Sequence, residues 1–318
     1  CKTLLSLSPC QVCELSAGSH ALTVSFYPLS HWKLQDMLRA FLTVFTGFFL
    51  VIASIAQAET SVSRAMDAVR SKNWDTAAAQ VRDQGRVARD IVEWHRLRAG
   101  LGSSGDVLTF LERRPDWPGL PYLRKQSEDA FAKANRRQVN ALFAYGDAQT
   151  AQGVLIQARA MEKLGQREQA QALVLNAWKT MAVGPQSHQS FLDRYGKLLK
   201  PHHVARMDMV LWKNWESNTA RMKPLVGADW SKLADARLGL RARSKGVDGL
   251  IAAVPASLQS DPGVAYERFV WRARKGRDAG AIEILLASSV SDNLGQPEDW
   301  ARRRRDLARK QMRAGNYG

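Results

Sequence analysis

The chain is 318 residues long and 45% hydrophobic, with 46 lysines and arginines against 30 acids, a net charge of +16. That length holds one or two ordinary domains or a single repeat array. The charge calls either for an acidic partner or for a generally arginine-rich, solvated surface. All three cysteines (Cys1, Cys10 and Cys13) lie before residue 37, and Cys10 and Cys13 form a lone CxxC with no second Cys/His pair at metal spacing. No disulfide framework or zinc site is therefore expected, and the rest of the chain must be held by packing alone.

Residues 1–36 show neither helical nor strand periodicity and do not begin with methionine, so they read as an extension upstream of a start at Met37. Residues 37–58 read as a secretory signal peptide. Arg39 supplies the basic start, Phe41 to Ile55 is uncharged, and Ala56-Gln57-Ala58 is a small-x-small cleavage site before Glu59. The apolar stretch falls short of the roughly 20 residues a spanning helix needs. An uncleaved inner-membrane anchor is the alternative, and it would leave the chain unprocessed at Ala58. The segment before Glu59 holds Lys2, Lys33 and Arg39 against Glu14 and Asp36, so nearly all the excess charge lies behind the cleavage site. A periplasmic location makes cell-wall polymer or anionic lipid the fitting acidic partner. Nucleic acid is excluded on compartment grounds.

From Glu59 the pattern is helical. Val87, Ile91, Trp94, Leu97 and Leu101 step by three and four, as do Val154, Ala158, Met161 and Leu164. Val204, Met207, Leu211 and Trp215 repeat the pattern, followed by Tyr266, Phe269, Val270 and Ala273. No alternating run of strand length occurs. Trp94, Trp212, Phe269 and Trp271 are the expected packing positions. The connections share a form: a cation, a glycine or asparagine, then a polar residue opening the next helix. It occurs at Arg70 to Trp74, Lys163 to Gln166, Arg243 to Val247, Arg274 to Arg277 and Arg313 to Asn316. Glycine just past a helix end supplies a left-handed cap, and cations in the last turn suit the helix dipole. Helix, tight cap and returning helix predict an all-α fold without a sheet. The expected architecture is an α-superhelix, or solenoid, of antiparallel helix pairs resembling tetratricopeptide arrays, spanning 59–318 as one domain. The proline-dense segment Pro115 to Pro121 is its main interruption.

Few motifs point to chemistry. Gly100-Leu-Gly102-Ser-Ser-Gly105 matches GxGxxG, but a dinucleotide site needs a preceding strand. Here a helix precedes it, and Ser103 with Asp106 reads as a capping box. His95, His188, His202 and His203 form no metal spacing and read as surface or first-turn residues. Arg302 to Arg305 reads either as a contact for an anionic polymer or as a solvated stretch paired with Glu298, Asp299 and Asp306. The tryptophans could stack on sugars, but helical spacing favours packing between helices.

Taken in order, several segments resemble one family. They are Ile91 to Arg98, Phe110 to Leu120 with its Pro115-Asp116-Trp117-Pro118, Arg206 to Trp212, Arg221-Met222, Val254 to Gly263, and Tyr266 to Gly276 with its Tyr-Glu-Arg-Phe start. Across most of 60–318 this order is similar to the N-terminal superhelical (U-type) region of periplasmic soluble lytic murein transglycosylases of the α-proteobacterial kind. The resemblance implies a curved helical body that binds or positions peptidoglycan glycan strands. In that family a separate C-terminal lysozyme-like domain cleaves the MurNAc–GlcNAc bond to a 1,6-anhydro product with one glutamate. Its motif is a Glu-Ser pair followed by Gly-Leu-Met-Gln. Glu216-Ser217 occurs here, but no Gly-Leu-Met-Gln follows. Glu216 is therefore not assigned, and no catalytic, cofactor or metal residue is expected. Because Gly318 falls inside the turn pattern, the chain is expected to stop before the catalytic domain. The rival expectation is a non-enzymatic periplasmic scaffold for protein partners.

Overall fold

The computed structural model describes residues 61–317. The upstream extension, the signal peptide, the CxxC and the cleavage at Ala58 all fall outside that span. Among the described residues all regular structure is helical, with no strand. The chain from Ala65 onward makes one compact unit.

In chain order the helices are α1 (61–70), α2 (Trp74–Gln80), α3 (Arg86–Arg98), α4 (Ser104–Arg113), α5 (Leu120–Ser127) and α6 (Arg136–Phe143). Then come α7 (Ala151–Glu162), α8 (Arg167–Thr180), α9 (Pro185–Leu199), α10 (His203–Trp212) and α11 (Glu216–Met222). The last are α12 (Ala228–Ala242), α13 (Val247–Ala252), α14 (Pro262–Arg274), α15 (Asp278–Ser289) and α16 (Pro297–Arg313).

One joint recurs. At Lys72, Gly100, Gly165, Asn214, Arg243, Gly276 and Gly315 a residue takes positive φ just past a helix end. In each case the next residue's N–H returns to a carbonyl five positions back: Asn73 to Ala68, Leu101 to Arg96, Gln166 to Met161, Trp215 to Val210, Ser244 to Gly239, Arg277 to Arg272 and Asn316 to Gln311, at 2.8–3.1 Å. This is the Schellman closure, which satisfies carbonyls the helix leaves open. Glycine is the residue that reaches this φ without strain, yet Lys72 and Arg243 adopt it. Two expected caps shift accordingly. Asn73 is the N-cap of α2, accepting from the Thr76 N–H at 3.2 Å, while Lys72 takes the left-handed position. Gly246 is the N-cap of α13, and Arg243 closes α12.

Neighbouring helices pack as pairs, α7 with α8, α10 with α11, α12 with α13 and α14 with α15. Beyond the pairs, every second helix touches the next: α8, α10, α12, α14 and α16 form a continuous series, and α3 with α5, α4 with α6 and α7 with α9 repeat the relation. This two-layer ladder is what a solenoid requires, since each pair hides its apolar face only by stacking on its neighbours. Its largest core joins Val154, Ala158, Val174, Trp178, Phe191, Met207, Leu211, Leu233 and Val264 across several pairs. A second core holds Leu97, Phe110, Leu123, Phe131 and Leu142, and a third holds Trp212, Tyr266, Phe269, Trp300 and Leu307.

The predicted stripes are exposed at four of their eight ends and buried or half-buried elsewhere. Val154, Ala158, Met207, Leu211, Phe269 and Val270 are buried, but Val87, Leu101, Leu164 and Val204 are exposed. On α3 the buried face is Asp90, Val92 and Leu97. Asp90 is hidden because Arg113 and Arg114, at the end of α4, both pair with it. Of the expected packing positions Trp212 and Phe269 are buried, while Trp94 and Trp271 are half-buried. The deepest tryptophan is Trp178, fully enclosed.

Candidate functional site

The exposed basic helix α16 is the clearest candidate for contact with an anionic partner. Its packing seam is narrow. Trp300 and Leu307, seven residues apart, are its buried positions. Trp300 stacks on Phe269 with centroids 5.4 Å apart and planes 15° apart, and its indole N–H donates to the Leu294 carbonyl at 3.0 Å. At the far end Asp278, in the first turn of α15, accepts from Lys310 at 2.8 Å and from Gln311 at 3.0 Å. These contacts fix the helix and leave its remaining faces to solvent.

Arg302, Arg304, Arg305 and Arg309 are exposed. Arg302, Arg305 and Arg309 share one face at i, i+3 and i+7. Arg302 pairs with Asp299 at 3.2 Å, an exposed bridge of small energetic weight. Among the described residues no carboxylate lies within ion-pair distance of Arg304, Arg305 or Arg309. Of the three acids expected to pair with the run, Asp299 does so. Arg303 is half-buried and lines a small cavity together with Phe269, Val270, Asp306, Leu307 and Lys310.

The buried carboxylates hold the fold together. Asp90 is clamped by two guanidiniums. Glu128 accepts from the Gln149 and Thr150 N–H groups at 2.6 and 2.8 Å and from the Thr150 hydroxyl at 2.5 Å, anchoring the start of α7. Burial pushes its pKa up, against the lowering effect of those hydrogen bonds. A Cβ on Gly153 would stand 2.1 Å from its carboxylate, so that position requires glycine. Glu267 is bound by Arg241, whose Nε donates at 2.9 Å. Glu216, by contrast, is exposed in the first turn of α11.

The histidines correct the surface part of their expectation. His188 and His203 do sit in the first turns of α9 and α10, but both are buried against Trp178, with ring centroids 5.4 and 5.8 Å away. Burial, followed by Arg206 and Arg221, lowers the His188 pKa to about 4. Burial likewise lowers that of His203. The reading of Gly100 to Gly105 as a capped turn holds. The Ser103 hydroxyl accepts from the Asp106 N–H at 3.2 Å, and the Asp106 carboxylate accepts from the Ser103 N–H at 3.0 Å.

Two groups escaped the sequence reading: the buried arginines Arg206 and Arg237, both fully enclosed. Each guanidinium lies over a tryptophan, Arg206 on Trp178 at 4.3 Å and Arg237 on Trp212 at 4.7 Å. The signal available in sequence was an arginine two helices after a tryptophan, Trp178 on α8 with Arg206 on α10 and Trp212 on α10 with Arg237 on α12. Comparison with protein-family models, with curated proteins and with solved structures yields no match.

Proposed function

We propose that this chain is the non-catalytic helical part of a periplasmic murein-handling protein of the lytic transglycosylase kind, and that it binds the anionic peptidoglycan wall. The observation that carries this reading is the exposed guanidiniums of α16, of which Arg304, Arg305 and Arg309 have no carboxylate partner among the described residues. Stem-peptide carboxylates are the complementary charge, and the attraction is of a kind that salt screens. The sequence resemblance supplies the wall as the partner and the signal-peptide pattern supplies the compartment. General acid catalysis needs a carboxylic acid positioned at substrate with a tuned pKa. The buried acids described above are committed to arginines or helix starts, and Glu216 stands in solvent; in this reading, bond cleavage is the work of the separate domain that the resemblance implies.

One observation favours a second reading, a scaffold for protein partners: Leu286 on α15 and Val290 just past its end are 61% and 87% exposed. Incubating the purified chain with intact sacculi separates the readings. Sedimentation with sacculi that fades as salt rises, without anhydro-muropeptides by mass spectrometry, is the expected result. Absence of sedimentation at low salt favours the scaffold. Anhydro product that disappears in Glu216→Gln would make this residue catalytic.

A further inference from the structure

The basic face of α16 is not the molecule's sole unneutralised cationic feature. Between α2, α3 and α4 lies an open cleft of about 600 Å³, lined by Trp74, Arg86, Arg89, Arg96, Arg113 and three acids, Asp90, Glu93 and Asp106. That volume is in the range of small-ligand sites.

The charges of this cleft can be accounted for one by one. Asp90 accepts from Arg113 at 2.9 Å and from Arg114 Nε at 2.7 Å. Glu93 and Asp106 share Arg96, which donates to them at 2.9 and 3.1 Å. Asp106 is held below the usual carboxylate range, first by the Ser103 N–H and then by Arg96. Three acids and three arginines thus form a closed, neutral floor. Arg86 and Arg89 remain. They lie three residues apart on one face of α3, are exposed, and have no carboxylate within ion-pair distance among the described residues. Arg89 is held in place by donating to the Arg82 carbonyl at 3.0 Å.

Their position adds to the case. Both are in the first four residues of α3, whose first turn has no acid and whose N-cap, Gly85, makes no side-chain cap. Cations there oppose the helix dipole. Neither guanidinium has a carboxylate among the described residues to offset this cost, Arg89 having only the Arg82 carbonyl, and an anion between them would relieve it. Half-buried Trp74 forms an apolar wall beside them, suited to the face of a sugar or the aliphatic part of a peptide.

We propose that this cleft is a binding site for a carboxylate-bearing glycopeptide, with Arg86 and Arg89 taking the carboxylate and Trp74 the apolar face of the ligand. Given the reading of the chain as a murein binder, on which this identification rests, the ligand is a peptidoglycan stem peptide with its sugar. Arginine suits the task because its planar fork matches a carboxylate with two parallel hydrogen bonds.

The probe is a soluble disaccharide-tetrapeptide muropeptide, titrated calorimetrically into the chain at low salt beside the same muropeptide with its carboxylates amidated. R86Q/R89Q is compared with a charge-matched control outside both basic features, K179Q/K232Q on α8 and α12, and sedimentation with sacculi is run on all three proteins. The expected result is roughly tenfold or greater loss of muropeptide affinity in R86Q/R89Q, a similar loss on amidation, and little change in K179Q/K232Q. The melting temperature of R86Q/R89Q should stay level or rise, because two cations opposing a dipole are removed; a merely structural role would lower it. Equal muropeptide affinity in wild type and R86Q/R89Q overturns the cleft assignment and leaves the wall-binding reading standing, as does sedimentation with sacculi without muropeptide binding. Failure of the wild type to bind either sacculi or muropeptide overturns both.

Discussion

Two neighbouring joints of the ladder bury an arginine over a tryptophan and neutralise it by opposite means. Where α10 meets α8 and α11, Arg206 donates to the Trp178 carbonyl, to the Met181 carbonyl at 3.2 Å and to the Asn218 amide oxygen at 3.0 Å. Arg221 donates to the Val183 carbonyl at 2.6 Å. Among the described residues no carboxylate pairs with either, and the counter-charge is the carbonyl end of α8 and the turn after it. Where α12 meets α10 and α14, carboxylates do the work. Arg237 pairs with Asp208 at 2.7 Å and faces Asp261 at 3.7 Å. Arg241 binds Glu267, the Leu211 carbonyl at 2.8 Å and Asn214 at 2.7 Å. Helix carbonyls offer only a partial negative charge, and the consequences are visible. Burial, and then Arg221, lowers the Arg206 pKa to about 10, and the adjacent His188 is kept neutral. A cation satisfied only by dipoles keeps more of its positive field, which disfavours a second cation beside it; a carboxylate partner cancels much of that field.

The comparison breaks most strongly at the aromatic platform of the first joint. Trp178→Ala removes the surface on which Arg206, His188, His203 and Phe191 rest and should cost about 3–5 kcal/mol by denaturant unfolding. An effect below about 1 kcal/mol would mean that the joint is not enclosed as described. In the second joint Glu267→Ala leaves Arg241 with carbonyl and amide partners alone, recreating the first joint's situation without its geometry. It should cost about 3 kcal/mol. A neutral outcome would show that dipoles suffice there too.

The joints should also separate by pH. His188 has its folded pKa lowered, from 6.5 to about 4, by burial first and by Arg206 and Arg221 after it. The unfolded chain therefore takes up a proton at a pH where the folded chain does not. This contribution to stability is complete above about pH 6.5 and lost as pH falls toward 4. His203, with Lys200, His202 and Arg206 around it, shifts in the same direction. The loss should be on the order of 2 kcal/mol between pH 7 and pH 4.5, measured as the difference between wild type and His188→Gln. Parallel stability profiles for the two would contradict the assignment. The smallest effect is expected from Asn218→Ala, which strips an acceptor from Arg206 and from the Val183 N–H, 3.0 Å away. Roughly 1–2 kcal/mol is expected; a larger loss would make this amide the main counterpart of Arg206.

The helices and their closures were legible because their causes are local. Gly165, Gly276 and Gly315 sit where the sequence puts them, and the Ser103–Asp106 box forms across three residues. Lys72 and Arg243 were not legible as left-handed caps, since nothing in a lysine or an arginine announces positive φ; the neighbouring Asn73 and Gly246 drew the reading instead. Apolar periodicity placed Met207 and Leu211 in the core but overran at Val87 and Leu101, where the helix ends meet solvent. Asp90 could not be read as buried because its partners, Arg113 and Arg114, are more than twenty residues away on another helix. The same holds for His188 and His203, whose shared neighbour Trp178 joins them only in the stacked pairs. For the candidate site, the Arg302 to Arg305 run was visible as charge, but its division into a paired, a half-buried and two free arginines depends on where Trp300 and Leu307 turn the helix. The cleft of Arg86 and Arg89 was invisible, because the excess emerges only after the acids of α3 and α4 have been assigned to other partners.

The proposed function stands or falls on whether the wall's carboxylates are what the chain binds. The most direct measurement is co-sedimentation of the purified chain, at low salt, with two preparations of the same sacculi, one untreated and one with its stem-peptide carboxylates amidated. Binding to the untreated wall that is largely lost on amidation is the predicted result. Equal binding to both, or binding to neither, would contradict it.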